Sequence, residues 1–135
     1  MIYYPLANFL QANIREVLII TNEGEVDLIS KLLGDGSHLG ISINYAVQKK
    51  PSGLPEAFII GEEFINNEPV ALNLGDHIFF GQELNKKLPE ITKSLKNTTI
   101  LSVQTDRPEE SGVVCFNDNN EITSIIEKPK QFISN

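Results

Sequence analysis

The 135-residue sequence predicts an α/β fold: a mainly parallel sheet with helices on both faces, followed by a β-hairpin. Three observations predict it. Stretches with helical spacing of apolar residues alternate with short apolar runs of strand length. The run at 17–20, Val-Leu-Ile-Ile, is apolar throughout, as a strand covered on both faces of a parallel sheet must be. Finally, two strand-like stretches between 112 and 126 flank four turn formers, Asn117, Asp118, Asn119 and Asn120.

The elements follow in order. A helix is expected over 3–13, then the strand at 17–20, with Thr21 and Asn22 as turn or cap residues. Val26, Leu28, Ile29, Leu32 and Leu33 recur at helical spacing over 25–33, and Gly34 stops that helix. The alternating 41–47 stretch is a strand. A third helix starts at Pro55, since proline suits a first helical position, and runs to 65. Residues 70–74 and 99–104 are expected strands, with a weak helix over 83–95 between them that contains Pro89 or starts at it. The hairpin pairs 112–116 with 121–126. Residues 1–135 form one partial domain in this reading. The chain opens on a helix, and neither a Rossmann nor a Walker glycine loop occurs in it.

Hydrophobic residues make up 41% and charged residues 21%, the balance of an ordinary globular domain. The formal charge of −7, without a basic stripe, argues against nucleic-acid binding, which depends on neutralising phosphates. Binding a single nucleotide stays open, because a metal ion or backbone amides can hold it. One cysteine, Cys115, cannot form an internal disulfide and reads as a small apolar core residue. No apolar run approaches the ~20 residues of a membrane span, and the first cation, Arg15, lies too far in for a signal peptide. A cytoplasmic location and no membrane partner are expected.

Four places could carry chemistry. Asp76 lies just past an expected strand, where ligands of open α/β sheets bind; it either holds a hard cation or caps the next turn. The 34–40 loop, Gly-Asp-Gly-Ser-His-Leu-Gly, reads as a helix stop and turn rather than a ligand loop. Gln48, with two lysines and Gly53 before a helix start, could read a base edge through its amide; the residue types alone suit a solvated loop better. Glu127 and Lys128 could grip sugar hydroxyls and a phosphate, or form a surface ion pair before Pro129. His38 and His77 lack metal-ligand spacing.

Taken in order, MIYYPL at 1–6, LLGDGSHLG at 32–40, Gln48 with GLPEAF at 53–58, FIIGEEFI at 58–65, LNLGDHIFFG at 72–81, SGVVCF at 111–116 and EKP at 127–129 resemble the sugar-1-phosphate nucleotidyltransferase family, most of all its glucose-1-phosphate thymidylyltransferases. The resemblance implies an incomplete Rossmann-like, nucleotide-diphospho-sugar transferase-like fold. It implies nucleotidyl transfer from dTTP to glucose 1-phosphate, giving dTDP-glucose and pyrophosphate. By position it assigns Gln48 and Gly53 to the thymine base, Leu54 and Leu74 to apolar contact with nucleoside and sugar, and Asp76 to Mg²⁺. Gly112 falls to the hexose, Glu127 to the sugar hydroxyls and Lys128 to the sugar phosphate.

The family's opening strand, its glycine-rich triphosphate loop and its second metal-binding aspartate are expected before Met1 and beyond Asn135, so no catalytic residue is retained with them and this chain alone is expected to be inactive. A non-catalytic sugar-nucleotide-binding module or a truncated remnant remains the alternative. Lys49 and Lys50 stand where the family has Pro-Ser, Pro55 where it has a small residue, His77 for Asn and Ser111 for Tyr. Without a central first strand, the sheet is expected to close its gap, recruit a strand or self-associate into an oligomer.

Overall fold

In the computed structural model, residues 1–81 and 83–130 are described. They fall into two units, Met1–Lys96 and one that begins at Asn97.

The first unit runs α1 (Tyr3–Gln11), β1 (Glu16–Thr21), α2 (Val26–Leu33), β2 (Ser42–Val47), α3 (Pro55–Ile60), α4 (Glu62–Ile65) and α5 (Leu84–Ser94). β1 and β2 pair in parallel, from Glu16 opposite Ser42 to Thr21 opposite Val47, with α2 as the crossover between them. Strand alternation sends Val17, Ile19 and Ile43 to one face. There they meet Leu6 of α1, Leu33 of α2 and Ile41 in a single buried cluster. Each such side chain contributes about 1.5–3 kcal/mol by leaving water.

Local chemistry explains where the helices begin and end. Pro5 sits in the first turn of α1, where a missing N–H costs nothing. Beyond the end of α1, the Arg15 guanidinium donates to the Leu10 carbonyl at 3.0 Å and satisfies one of the last acceptors. α2 stops at Gly34. The loop then packs inward through Gly36, whose φ is 81° and where a Cβ would stand 2.7 Å from Ile43 Cγ1 and 2.9 Å from Ile41 Cγ1. This close packing supports the reading of 34–40 as a structural turn.

The helix expected over 55–65 breaks at Gly61 into α3 and α4. Gly61 lies against the other face of the sheet: a Cβ there would be 3.3 Å from Leu18 Cδ2 and 3.0 Å from the Ala57 carbonyl oxygen. Helices therefore lie on both faces, α1 and α2 on one and the α3–α4 break on the other. α5 carries Pro89 within it, and the Thr92 hydroxyl reaches the Ala12 carbonyl at 3.1 Å, tying α5 to the end of α1.

Two expected strands do not form. Residues 70–74 and 99–104 join no ladder, so among the described residues the parallel sheet has two strands. A strand exists only when a neighbour takes its N–H and C=O groups. Neither segment has such a neighbour here.

The second unit holds a short 3-10 turn, Pro108–Glu110, and the antiparallel hairpin β3 (Gly112–Phe116) and β4 (Ile122–Glu127). Asn117 organises the hairpin's turn: its Oδ1 accepts from the backbone N–H of Asn119 at 3.0 Å and of Glu121 at 2.9 Å. Beside the turn the register shifts, and the Thr123 hydroxyl donates to the Cys115 carbonyl at 3.2 Å. Cys115 is a free thiol, half-buried rather than a core residue.

Candidate functional site

The loop after β2 brings together three of the expected nucleotide-binding residues. Gln48 directly follows β2, and its backbone N–H donates to the Thr21 carbonyl at 2.8 Å, so the end of the parallel ladder fixes its position. Gly53 adopts a φ of 98°, a conformation that turns the loop back toward Gln48 and that a side chain would strain. Leu54 occupies the N-cap position of α3 and is half exposed, presenting an apolar surface at the loop's end.

The Gln48 side chain is not free. Its Nε2 donates to Glu56 Oε2 at 2.6 Å, and it also lies 3.5 Å from the Gly53 carbonyl oxygen. Glu56 was missed in the sequence. The one available signal was an acidic residue in the first turn of a helix, a placement the helix dipole alone would favour.

Leu74 is half-buried and Asp76 is exposed in the adjoining turn, which the His77 N–H closes onto the Leu74 carbonyl at 3.1 Å. No described hydrogen bond or ion pair links Asp76 to the Gln48 loop, so the structure does not join these two places by direct contact. Among the described residues no group of three or more His, Cys, Asp and Glu could by itself hold a metal ion. His77 stacks edge-on to Phe79, with ring centroids 6.3 Å apart.

In the second unit the hairpin register sets Gly112 opposite Glu127. A Cβ at Gly112 would stand 3.1 Å from Glu127 Oε2, so the missing side chain leaves room for that carboxylate. Lys128 follows with a φ of 44°, and its N–H donates to the Ser111 carbonyl at 3.0 Å. A lysine in this left-handed region costs about 1–2 kcal/mol. The bond to Ser111 helps hold it there. The Lys128 ammonium and the Glu127 carboxylate are 4.0 Å apart with side chains 65% and 74% exposed, an ion pair that leaves both heads in solvent. Gly112, Glu127 and Lys128 are thus gathered at the base of one hairpin.

A parallel βαβ unit, with an amide-bearing loop at the carboxyl end of its second strand, marks the chain as an α/β protein of the open-sheet kind, in which ligands bind at the carboxyl ends of strands. The family model described as nucleotidyl transferase matches residues 1–135, and the chain belongs to that family. It is 49% identical over 131 residues to the glucose-1-phosphate thymidylyltransferase of Neisseria meningitidis (serogroup A / serotype 4A), a match covering 97% of this chain and 46% of that protein. The glucose-1-phosphate thymidylyltransferase of Xanthomonas campestris pv. campestris is 40% identical over 135 residues, again spanning 46% of the longer protein. Among solved structures, a Bacillus anthracis protein assigned as a glucose-1-phosphate thymidylyltransferase, in complex with a sucrose, superposes with a TM-score of 0.88 at 31% identity. That match covers 98% of this chain and 53% of the other. The chain therefore spans about half the length of these relatives. No helix among the described residues is long and apolar enough to cross a membrane.

Proposed function

We propose that this chain contributes the base- and sugar-binding parts of a glucose-1-phosphate thymidylyltransferase, which joins dTTP and glucose 1-phosphate into dTDP-glucose and releases pyrophosphate. The observation that carries the reading is the Gln48–Gly53–Leu54 loop, held at the end of β2 by the 2.8 Å bond to Thr21. It stands in a chain that the nucleotidyl transferase family matches from end to end.

In this reading Gln48 and Gly53 hold the thymine, while Leu54 and Leu74 flank nucleoside and sugar. Gly112 lets the hexose approach the backbone. Glu127 accepts hydrogen bonds from sugar hydroxyls, and the Lys128 ammonium faces the sugar phosphate. The reaction is attack of a sugar-phosphate oxygen on the α-phosphorus, in which positioning and charge neutralisation do most of the catalysis. A single exposed carboxylate, Asp76, suits Mg²⁺, which takes one or two carboxylates and completes its shell from water and phosphate oxygens. When bound, that ion neutralises charge on the triphosphate. The reaction belongs in the cytoplasm, and copies of the chain associate with one another.

Titration of the 135-residue chain with dTDP-glucose and Mg²⁺ tests the reading. Saturable binding is expected, weakened in Gln48→Ala and in Lys128→Ala by about tenfold each, the worth of a lost polar contact. Binding unchanged in both variants would sink it.

A further inference from the structure

We propose that Glu56 is a positioning residue for Gln48: its carboxylate fixes the amide so that Oε1 faces the ligand, selecting pyrimidines that carry a hydrogen on N3. This rests on the reading that Gln48 meets the base.

The chemistry of the pair sets the amide's orientation. A carboxylate only accepts hydrogen bonds, so the group facing Glu56 Oε2 at 2.6 Å must be the NH₂ end of Gln48. The nearby Gly53 carbonyl at 3.5 Å is also an acceptor and favours the same orientation. Among the described residues, both side-chain hydrogen bonds of Gln48 are donated from Nε2, which leaves Oε1 as the group to offer outward.

Both partners stand on fixed elements. Gln48 is tied through its backbone to the end of β1, and Glu56 lies in the first turn of α3 behind Pro55, whose ring fixes the backbone at the helix start. Glu56 and Gln48 are each half-buried, so water competes only in part for their bond.

An amide free to rotate presents donor and acceptor alike. Held by Glu56, it presents an acceptor. Thymine and uracil carry N3–H and satisfy it. Cytosine has a lone pair at N3, so two acceptors would meet, leaving both unpaired at a cost that reduces affinity by about tenfold or more.

Nitrogen-15 spectra of the labelled chain, without nucleotide, read the pair directly. The Gln48 side-chain N–H signals should lie away from those of a solvated glutamine. They should move to the solvated position in Glu56→Ala and only part of the way in Glu56→Gln, whose amide oxygen still accepts. Signals that ignore Glu56→Ala overturn the proposal. Titration with dTTP and with dCTP, each with Mg²⁺, reads the consequence. The preference for dTTP should fall about tenfold in Glu56→Ala and be largely kept in Glu56→Gln. A preference unchanged in Glu56→Ala overturns the selection even if the amide signals move. If the unaltered chain binds neither nucleotide, the base-binding reading falls and the selection with it, while the amide spectra still decide whether Glu56 orients Gln48.

Discussion

Tyr45 donates its hydroxyl to the Gly34 carbonyl at 2.6 Å, joining β2 to the stop of α2. Burial first, and then the charge of Asp35, push its phenol above the ordinary value of about 10. A group whose folded pKa is raised stabilises fully below its unfolded value and loses that contribution as pH climbs through the folded one. Tyr45→Phe should therefore unfold about 1 kcal/mol more easily in urea at neutral pH, and the gap to the unaltered chain should shrink above pH ~10. A gap that stays constant into alkaline solution would show that the phenol plays no such part. Asp35 behaves oppositely. Hydrogen bonds from the hydroxyl and then the backbone N–H of Ser37 lower its pKa, so its contribution is present above the ordinary carboxylate range and lost as pH falls. Neither effect was readable from residue order, because each depends on how tightly the 34–40 loop folds back onto β2.

At the scale of elements, β1 has one partnered edge among the described residues. Ser42 N–H bonds the Arg15 carbonyl and Gln48 N–H the Thr21 carbonyl, both at 2.8 Å. Parallel ladders use alternate residues, so the odd positions of β1 face β2 and Glu16, Leu18 and Ile20 turn their backbone groups the other way. That edge opens on a groove of about 440 Å³ lined also by Pro69–Asn73, where Asn73 Oδ1 is buried without a partner among the described residues. Amides of Val17, Ile19 and Thr21 should exchange with deuterium far more slowly than those of Glu16, Leu18 and Ile20. Equal protection of both sets would mean that another strand occupies the groove. The same edge explains what was legible. Periodicity located α1, α2 and β2, and an unbroken apolar run located β1, because each signal lies within the segment itself. The 70–74 and 99–104 stretches have strand-like residues, yet a strand belongs to a pair and not to a segment. The helix break at Gly61 escaped the sequence reading, and so did the close approach of Gly61 to Leu18, a residue far away in sequence. The Gln48 loop was legible as a candidate site through family resemblance, and the Glu56 contact was not, since it requires the path of the loop between them.

For the molecule as a whole, a charge of −7 opposes contact between copies, while Ile78 and Phe80, the latter 99% exposed, favour it. Salt screens the first and leaves the second intact. Sedimentation should therefore show an average mass that rises with chain concentration and rises further with added salt. A strictly monomeric chain at every salt concentration would remove self-association from the account.

The tight turn at Asn117 has a consequence in time. Phe116 and Ile122 pair across a few residues, whereas β1 meets β2 only after the α2 crossover has closed a much longer loop. Closing long loops slows folding, and a hairpin forms in about 1–10 µs. On refolding, the later-synthesised unit should acquire its register first. All three tyrosines lie in the other unit, so their fluorescence should lag behind the infrared signal of the hairpin amides.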